Sequence, residues 1–122
     1  MSRILVCEDQ DSIRKMIQAL VVARGHEVVA AQSGAQALEL ASQKVPHLAV
    51  LDLTMPGEFD GFEVCRRLRQ RADTKEIPIL IVSALVDDES RTSAMDAGAT
   101  AYFTKPFSPI ELLGHIQTYL KS

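Results

Sequence analysis

The chain has 122 residues, 47% of them hydrophobic and 24% charged, with a formal net charge of −3. That length suits a single domain, 1–122, around one core, and the acidic balance argues against direct nucleic-acid binding, which needs a basic face. No apolar run approaches the roughly 20 residues that cross a bilayer, and "MSRILVCED" is too short and too soon acidic for a signal peptide, so no membrane insertion and a cytoplasmic location are expected.

Apolar runs of strand length alternate with segments of helical period. Arg3–Cys7 reads as a strand. In Ser12–Arg24 the apolar residues Ile13, Met16, Ile17, Leu20 and Val21 recur on one helical face, and Gly25 stops it. Glu27–Ala31 is a weaker strand, followed by a helix over Ser33–Gln43. Leu48–Leu53 is the third strand, and the helix Gly61–Arg71 turns Phe62, Cys65 and Leu68 inward. Ile77–Ser83 is a fourth strand, apolar on both faces, and the helix Asp88–Ala97 has a poor apolar face with Gly98 as its stop. Ala99–Phe103 is the fifth strand. Ser108–Leu120 closes the chain as a helix with a capping box, Ser108 as cap, Pro109 at the first helical position and Glu111 reaching back. Five strand–helix repeats imply an α/β fold with a parallel sheet covered on both faces. Right-handed crossovers favour a doubly wound, flavodoxin-like sheet of order 2-1-3-4-5 with five helices.

Several other features read as structural. Cys7 and Cys65 lie in apolar patterns without a C-x-x-C and read as small, reduced core residues. Arg66, Arg67, Arg69 and Arg71, with Glu63 and Asp73 nearby, read as a solvated helix face. His26, His47 and His115 show no zinc or triad pattern, and His26 and His47 read as surface residues. Neither phosphate-binding glycine motif, G-x-x-x-x-G-K-[ST] or G-x-G-x-x-G, occurs.

Ligands of such a sheet bind beyond the carboxyl ends of its strands. There the first strand ends on Glu8 and Asp9, the third carries Asp52, the fourth ends on Ser83, and Thr104, Lys105 and Pro106 follow the fifth. Three carboxylates packed together would resist ionisation. Lys105 offsets one charge, and a hard dication would offset the other two; few carboxylates with water completing the shell suit Mg2+. Singly, an acidic pair can be a polar strand exit and a lysine a surface residue. Their joint placement carries the functional reading. A carboxylate beside such a metal can accept a phosphoryl group as an acyl phosphate, which assigns Asp52 as nucleophile, with the metal and Lys105 neutralising the transferring group and Ser83 donating to it.

These residues resemble the receiver domains of two-component response regulators over nearly the whole chain. The marks are the pair Glu8–Asp9, Asp52 followed by "LTMPGEFDG", "VSA" with Ser83, and "YFTKPF" with Lys105. The resemblance implies that Asp52 is the phosphoacceptor, that Asp9 and Asp52 bind Mg2+ directly with Glu8 acting through water, and that the Thr54 backbone carbonyl completes the protein ligands. It implies that Ser83 and Lys105 contact the phosphoryl group and that Lys105–Pro106 is cis. Tyr102 falls at the aromatic position that swings inward when Ser83 follows the phosphate. The implied donor is a histidine kinase or phosphotransfer protein. The implied output face is the fourth helix, fifth strand and fifth helix, including Ala94, Met95, Ala101, Tyr102 and residues of Ser108–Ser122. It would engage a separate downstream protein or an output domain outside this chain, since no such domain follows Lys121–Ser122. The only chemistry expected is the domain's own aspartyl phosphorylation and dephosphorylation, so it is not expected to be an enzyme in the ordinary sense. Two departures stand out: Met55–Gly61 has one residue more than the family's M-P-x-M-D-G, and Glu8 replaces the commoner Asp. A phosphate-independent interaction module and a metal-dependent hydrolase remain as alternative readings.

Overall fold

A computed structural model describes residues 2–120. Along the chain run β1 (Arg3–Cys7), α1 (Asp11–Val22), β2 (Glu27–Ala31), α2 (Gly34–Gln43), β3 (Leu48–Leu51), α3 (Gly61–Gln70), β4 (Ile79–Ser83), α4 (Asp88–Asp96), β5 (Ala101–Thr104) and α5 (Pro109–Leu120). The strands form one parallel sheet of order β2-β1-β3-β4-β5, as the sequence predicts. Lys121 and Ser122, counted in the expected output face, lie outside the described residues.

The strand pleat sorts the core into two layers. Ile4, Val6, Leu48, Val50, Leu80 and Val82 meet Ile17 and Val21 of α1 and Leu112 and Ile116 of α5. Their alternates Leu5, Cys7, Ala49, Leu51, Ile79 and Ile81 meet α2, α3 and α4 through Ala37, Ala41, Val64, Cys65, Leu68 and Ala94. Both cysteines are free and buried. Burial on both faces is why β4 is apolar at every position before Ser83.

Where element ends differ from expectation, local hydrogen bonding explains it. Pro78 has no N–H to give a ladder, so β4 begins at Ile79 rather than Ile77. β5 begins two residues late, at Ala101: the end of α4 uses the backbone up to Ala99, with Gly98 N–H donating to Met95 O and Ala99 N–H to Ala94 O, each at 3.0 Å, while Thr100 N–H donates to Ile79 O at 2.7 Å. That double bond pattern needs a left-handed residue, and Gly98 supplies it at φ +112. α1 ends early as Arg24 and Gly25 donate to the carbonyls three residues back.

The inward faces also differ in detail. Arg14 is buried on α1 with Ile17 and Val21, while Ile13, Met16 and Leu20 are half-buried. In α3 Val64 joins Cys65 and Leu68, and Phe62 is only partly covered. The arginine run is not wholly solvated: Arg69 turns back to donate to the carbonyls of Gly98, Ile77 and Lys75 and to Thr100 Oγ1. His26 and His47 are not idle surface residues, because their Nδ1 atoms accept the N–H groups of Ser2 and Arg3 at 3.2 and 2.8 Å. Together they tie down the start of β1. Among the described residues no helix is long and apolar enough to cross a membrane.

α3 starts hard against the end of β3. A Cβ at Gly61 would lie 2.1 Å from the Asp52 carbonyl oxygen and 2.7 Å from Leu53 Cα, both backbone atoms that cannot swing away. Gly61→Ala is therefore expected to cost about 1–3 kcal/mol in urea denaturation. Gly114→Ala, in α5 where a Cβ would have nothing within 4 Å, is expected to stabilise instead. Equal effects would contradict this account of Gly61.

Candidate functional site

Glu8, Asp52 and Lys105 each sit one step past a strand and are still held by the neighbouring strand. Glu8 N–H donates to Ala31 O of β2 at 3.1 Å, Asp52 N–H to Cys7 O of β1 at 3.0 Å, and Lys105 N–H to Ser83 O of β4 at 2.8 Å. Parallel pairing thus fixes three backbones at one edge before any side chain is placed. Asp52 lies just outside β3, which stops at Leu51 rather than Leu53. The Lys105–Pro106 bond is cis, as expected.

On that frame Lys105 Nζ lies 2.8 Å from Glu8 Oε1 and 3.1 Å from Asp52 Oδ2. Glu8 and Asp52 are 2% and 5% exposed, so the ion pairs are made largely out of water. The second oxygen of Glu8 accepts Gln10 N–H at 3.1 Å, and Asp52 Oδ1 accepts Thr54 N–H at 3.3 Å. Asp9 is exposed and makes no ion pair among the described residues. Burial holds the Glu8 carboxyl above its usual range, against the pull of the Lys105 and Gln10 bonds. Burial pulls the Lys105 ammonium down, but the Glu8 and Asp52 carboxylates outweigh it and keep the pKa raised. Lys105 is therefore a fixed cation. Cys7, next to Glu8, is pushed up to about 12 by burial and by the nearby acids, so its thiol does not compete as a nucleophile. Its sulfur lies 3.0 Å from Met55 Sδ.

One oxygen from each of Glu8, Asp9 and Asp52 can be chosen so that all three lie within 4.8 Å of one another. Three carboxylates against one ammonium leave two negative charges. Hard oxygen donors with that charge fit a divalent cation of the Mg2+ or Ca2+ type, so this cluster can bind a metal.

Ser83 is fully buried at the end of β4, and its Oγ accepts Leu85 N–H at 3.1 Å. Tyr102 is 8% exposed, with its hydroxyl donating to Leu85 O at 2.7 Å. Arg91 of α4 covers the ring, its guanidinium carbon 4.9 Å from the centroid. Thr54 is exposed beside Asp52. Of the expected output-face residues, Ala94 is buried and Met95 is 43% exposed.

Two residues at this edge escaped the sequence reading. Leu85 joins Ser83 to Tyr102 through its backbone, a role no side-chain pattern reveals. Arg14 reaches the carbonyl of Glu8. Its signal was present, since positions 14, 17 and 21 share one helical face.

Fold and site together define a parallel α/β domain whose carboxyl edge carries an acid cluster closed by one lysine. The chain belongs to the response regulator receiver domain family, whose model matches residues 4–117. A probable transcriptional regulator ycf27 of Porphyridium aerugineum is 39% identical over 119 residues, covering 98% of this chain and 48% of that protein. A putative response regulator from Chloroflexus aurantiacus superimposes with a TM-score of 0.92 at 33% identity, covering 99% of this chain and 98% of that one. The chemotaxis protein CheY4 of Vibrio cholerae gives 0.91 at 31% identity, with 98% of each chain covered. The chain spans about half the length of the curated relatives it matches. As a receiver domain it fits a two-component phosphorelay.

The Lys105–Glu8 contact has a testable pH signature. Without Lys105, burial acts on Glu8 with less opposition and its folded-state pKa rises further above the ordinary 4.5. A carboxyl raised by folding loses stability as pH climbs from its unfolded value through its folded one. Lys105→Met is expected to lie nearest wild type at about pH 4 and to fall progressively behind towards about pH 7, read as urea midpoints. A pH-independent gap would mean that Lys105 does not hold the Glu8 charge.

Proposed function

We propose that this domain takes a phosphoryl group from a histidine kinase or phosphotransfer protein onto Asp52, with Mg2+ bound beside it, and so switches a partner-binding face. The observation that carries the reading is Asp52 itself. It is a buried carboxylate, 3.1 Å from Lys105 Nζ, in one cluster with Glu8 and Asp9. An Asp52 oxygen attacks phosphorus, the P–O bond of an acyl phosphate forms, and the P–N bond of a phosphohistidine breaks. Water later hydrolyses that acyl phosphate and restores the carboxylate. This chemistry on its own side chain is all we assign, with no turnover of a separate substrate.

Asp9 and Asp52 would hold Mg2+ directly, with the Thr54 carbonyl. Glu8 makes the shorter of the two Lys105 contacts, 2.8 Å against 3.1 Å for Asp52, and would reach the metal through water. Bound Mg2+ supplies positive charge to the phosphoryl oxygens. Lys105 stays charged and offers a second counter-charge. Ser83 Oγ offers a hydroxyl, at the expense of its bond from Leu85 N–H. Because Leu85 also accepts from Tyr102, turning Ser83 disturbs the support of the Tyr102 ring and of Arg91 above it. A new group of roughly 1.5 to 2 negative charges with three acceptors is enough to bias such a two-state element. The populations of α4, β5 and α5 then shift by the difference in phosphoryl affinity between states. That face would engage a downstream protein, or an output domain of a longer protein, in the cytoplasm.

Asp52→Asn is expected to abolish Mg2+-dependent labelling by acetyl phosphate, read by intact mass; labelling at the wild-type level would sink the assignment. In a calorimetric Mg2+ titration Asp9→Ala is expected to weaken binding much more than Glu8→Gln, and equal losses would place Glu8 among the direct ligands. Beryllofluoride with Mg2+, standing in for the phosphoryl group, should shift amide resonances around Asp88–Asp96 and Tyr102 in the wild type but only near Asp52 in Ser83→Ala. Shifts confined to Asp52 in the wild type would refute the switch.

A further inference from the structure

Among the described residues five polar or charged side chains are buried: Glu8, Arg14, Asp52, Thr74 and Ser83. Three belong to the site. Thr74 donates to Leu68 O, well inside the fold. Arg14 is the charged group left without a role, and a buried guanidinium persists only where it is paired and hydrogen-bonded. Its Nη1 donates to Glu8 O at 3.0 Å, and its Nη2 pairs with the exposed carboxylate of Asp11. The guanidinium holds the Asp11 carboxyl below its usual range.

We infer that Arg14 is a positioning residue for the metal-binding edge, acting through the peptide between Glu8 and Asp9; this rests on the phosphoryl-acceptance reading above. The Glu8 carbonyl and the Asp9 N–H share one rigid plane. Glu8 is secured by its N–H on Ala31 O and by its carboxylate on Lys105 and Gln10. Asp9 is exposed, and among the described residues its carboxylate makes no ion pair, so the backbone sets where its side chain starts. The bond from Arg14 to Glu8 O fixes the rotation of that plane and hence where Asp9 points. Asp11, at the first turn of α1, fixes the guanidinium in turn.

Charge and positioning predict opposite signs, which makes the inference sharp. As a cation near an acid cluster, Arg14 repels Mg2+, so charge alone predicts tighter binding when it is removed. As a positioning group it does the reverse, and outer contacts of this kind typically change metal affinity about 10–100-fold.

The test is a Mg2+ titration of the whole domain by calorimetry, with melting curves and amide hydrogen exchange on the same samples. Arg14→Lys keeps the charge and loses the planar fork; Arg14→Met loses both. Both are expected to weaken Mg2+ roughly tenfold, with faster exchange at the Asp9 and Gln10 amides. Asp11→Asn, a change at an exposed residue, should produce a smaller loss in the same direction. An unchanged Mg2+ affinity in Arg14→Lys overturns the inference, even if melting drops, because the role is then structural only. Tighter binding in Arg14→Met with no change in Arg14→Lys also overturns it, leaving charge as the sole effect. A wild type that binds no Mg2+ overturns the proposed function first, whereas normal wild-type binding with unaltered variants removes only the role of Arg14.

Discussion

Everything at the carboxyl edge depends on one ammonium. Glu8 and Asp52 are almost fully buried, and burial pushes the Glu8 carboxyl towards its neutral form. Lys105 sits within hydrogen-bond reach of both carboxylates and opposes that push on Glu8. The sheet brings these groups together from far apart in sequence, because Glu8, Asp52 and Lys105 each extend a strand by one residue and each N–H is still claimed by the neighbouring strand. The parallel ladder is therefore the scaffold, and the lysine is what lets charge stand at its end. One positive charge against three negative ones leaves the edge selective for a further cation.

The second constraint is asymmetry in how α4 is held. Arg69 reaches from α3 to the carbonyls of Gly98, Ile77 and Lys75 and to Thr100, so the carboxyl end of α4 and the start of β5 are pinned together. Along α4 itself only Ala94 is buried. Towards its amino end the ties are Arg91 over the Tyr102 ring and the Tyr102 hydroxyl on Leu85 O. An element fixed at one end and lightly packed elsewhere is at the low end of local stability, where mobile parts of proteins are found. The lightly held end is also the one near Ser83.

The loop with the extra residue is less free than its length implies. Met55 is buried against Cys7. Phe59 lies under the Arg67 guanidinium at 4.2 Å, and its backbone presses on Gly34, where a Cβ would meet the carbonyl oxygen at 2.3 Å. Asp60 caps α3 by accepting Glu63 N–H at 2.9 Å. Pro56, Gly57 and Glu58 stand exposed between these anchored ends of the loop.

Periodicity and composition determined the order of elements and the parallel sheet, because a buried strand must be apolar on both faces and a covering helix on one; the right-handed crossover rule then favoured the strand order. The acids, hydroxyl and lysine were legible as a set because each falls at a strand's carboxyl end, where such sheets carry their ligands. Their pairing was not. Which oxygen of Glu8 meets Lys105, whether Tyr102 lies in or out, and that Leu85 links it to Ser83 depend on backbone groups that carry no residue signature. The turned-in arginines show the same limit. Arg14 and Arg69 look like ordinary charged helix residues in one dimension, and only the arrival of carbonyls from β1, the α3–β4 segment and the α4–β5 turn gives them buried partners. Local sequence sets periodicity and charge, whereas the partner of a polar group is decided by chain segments distant in sequence, which meet only once the core has closed.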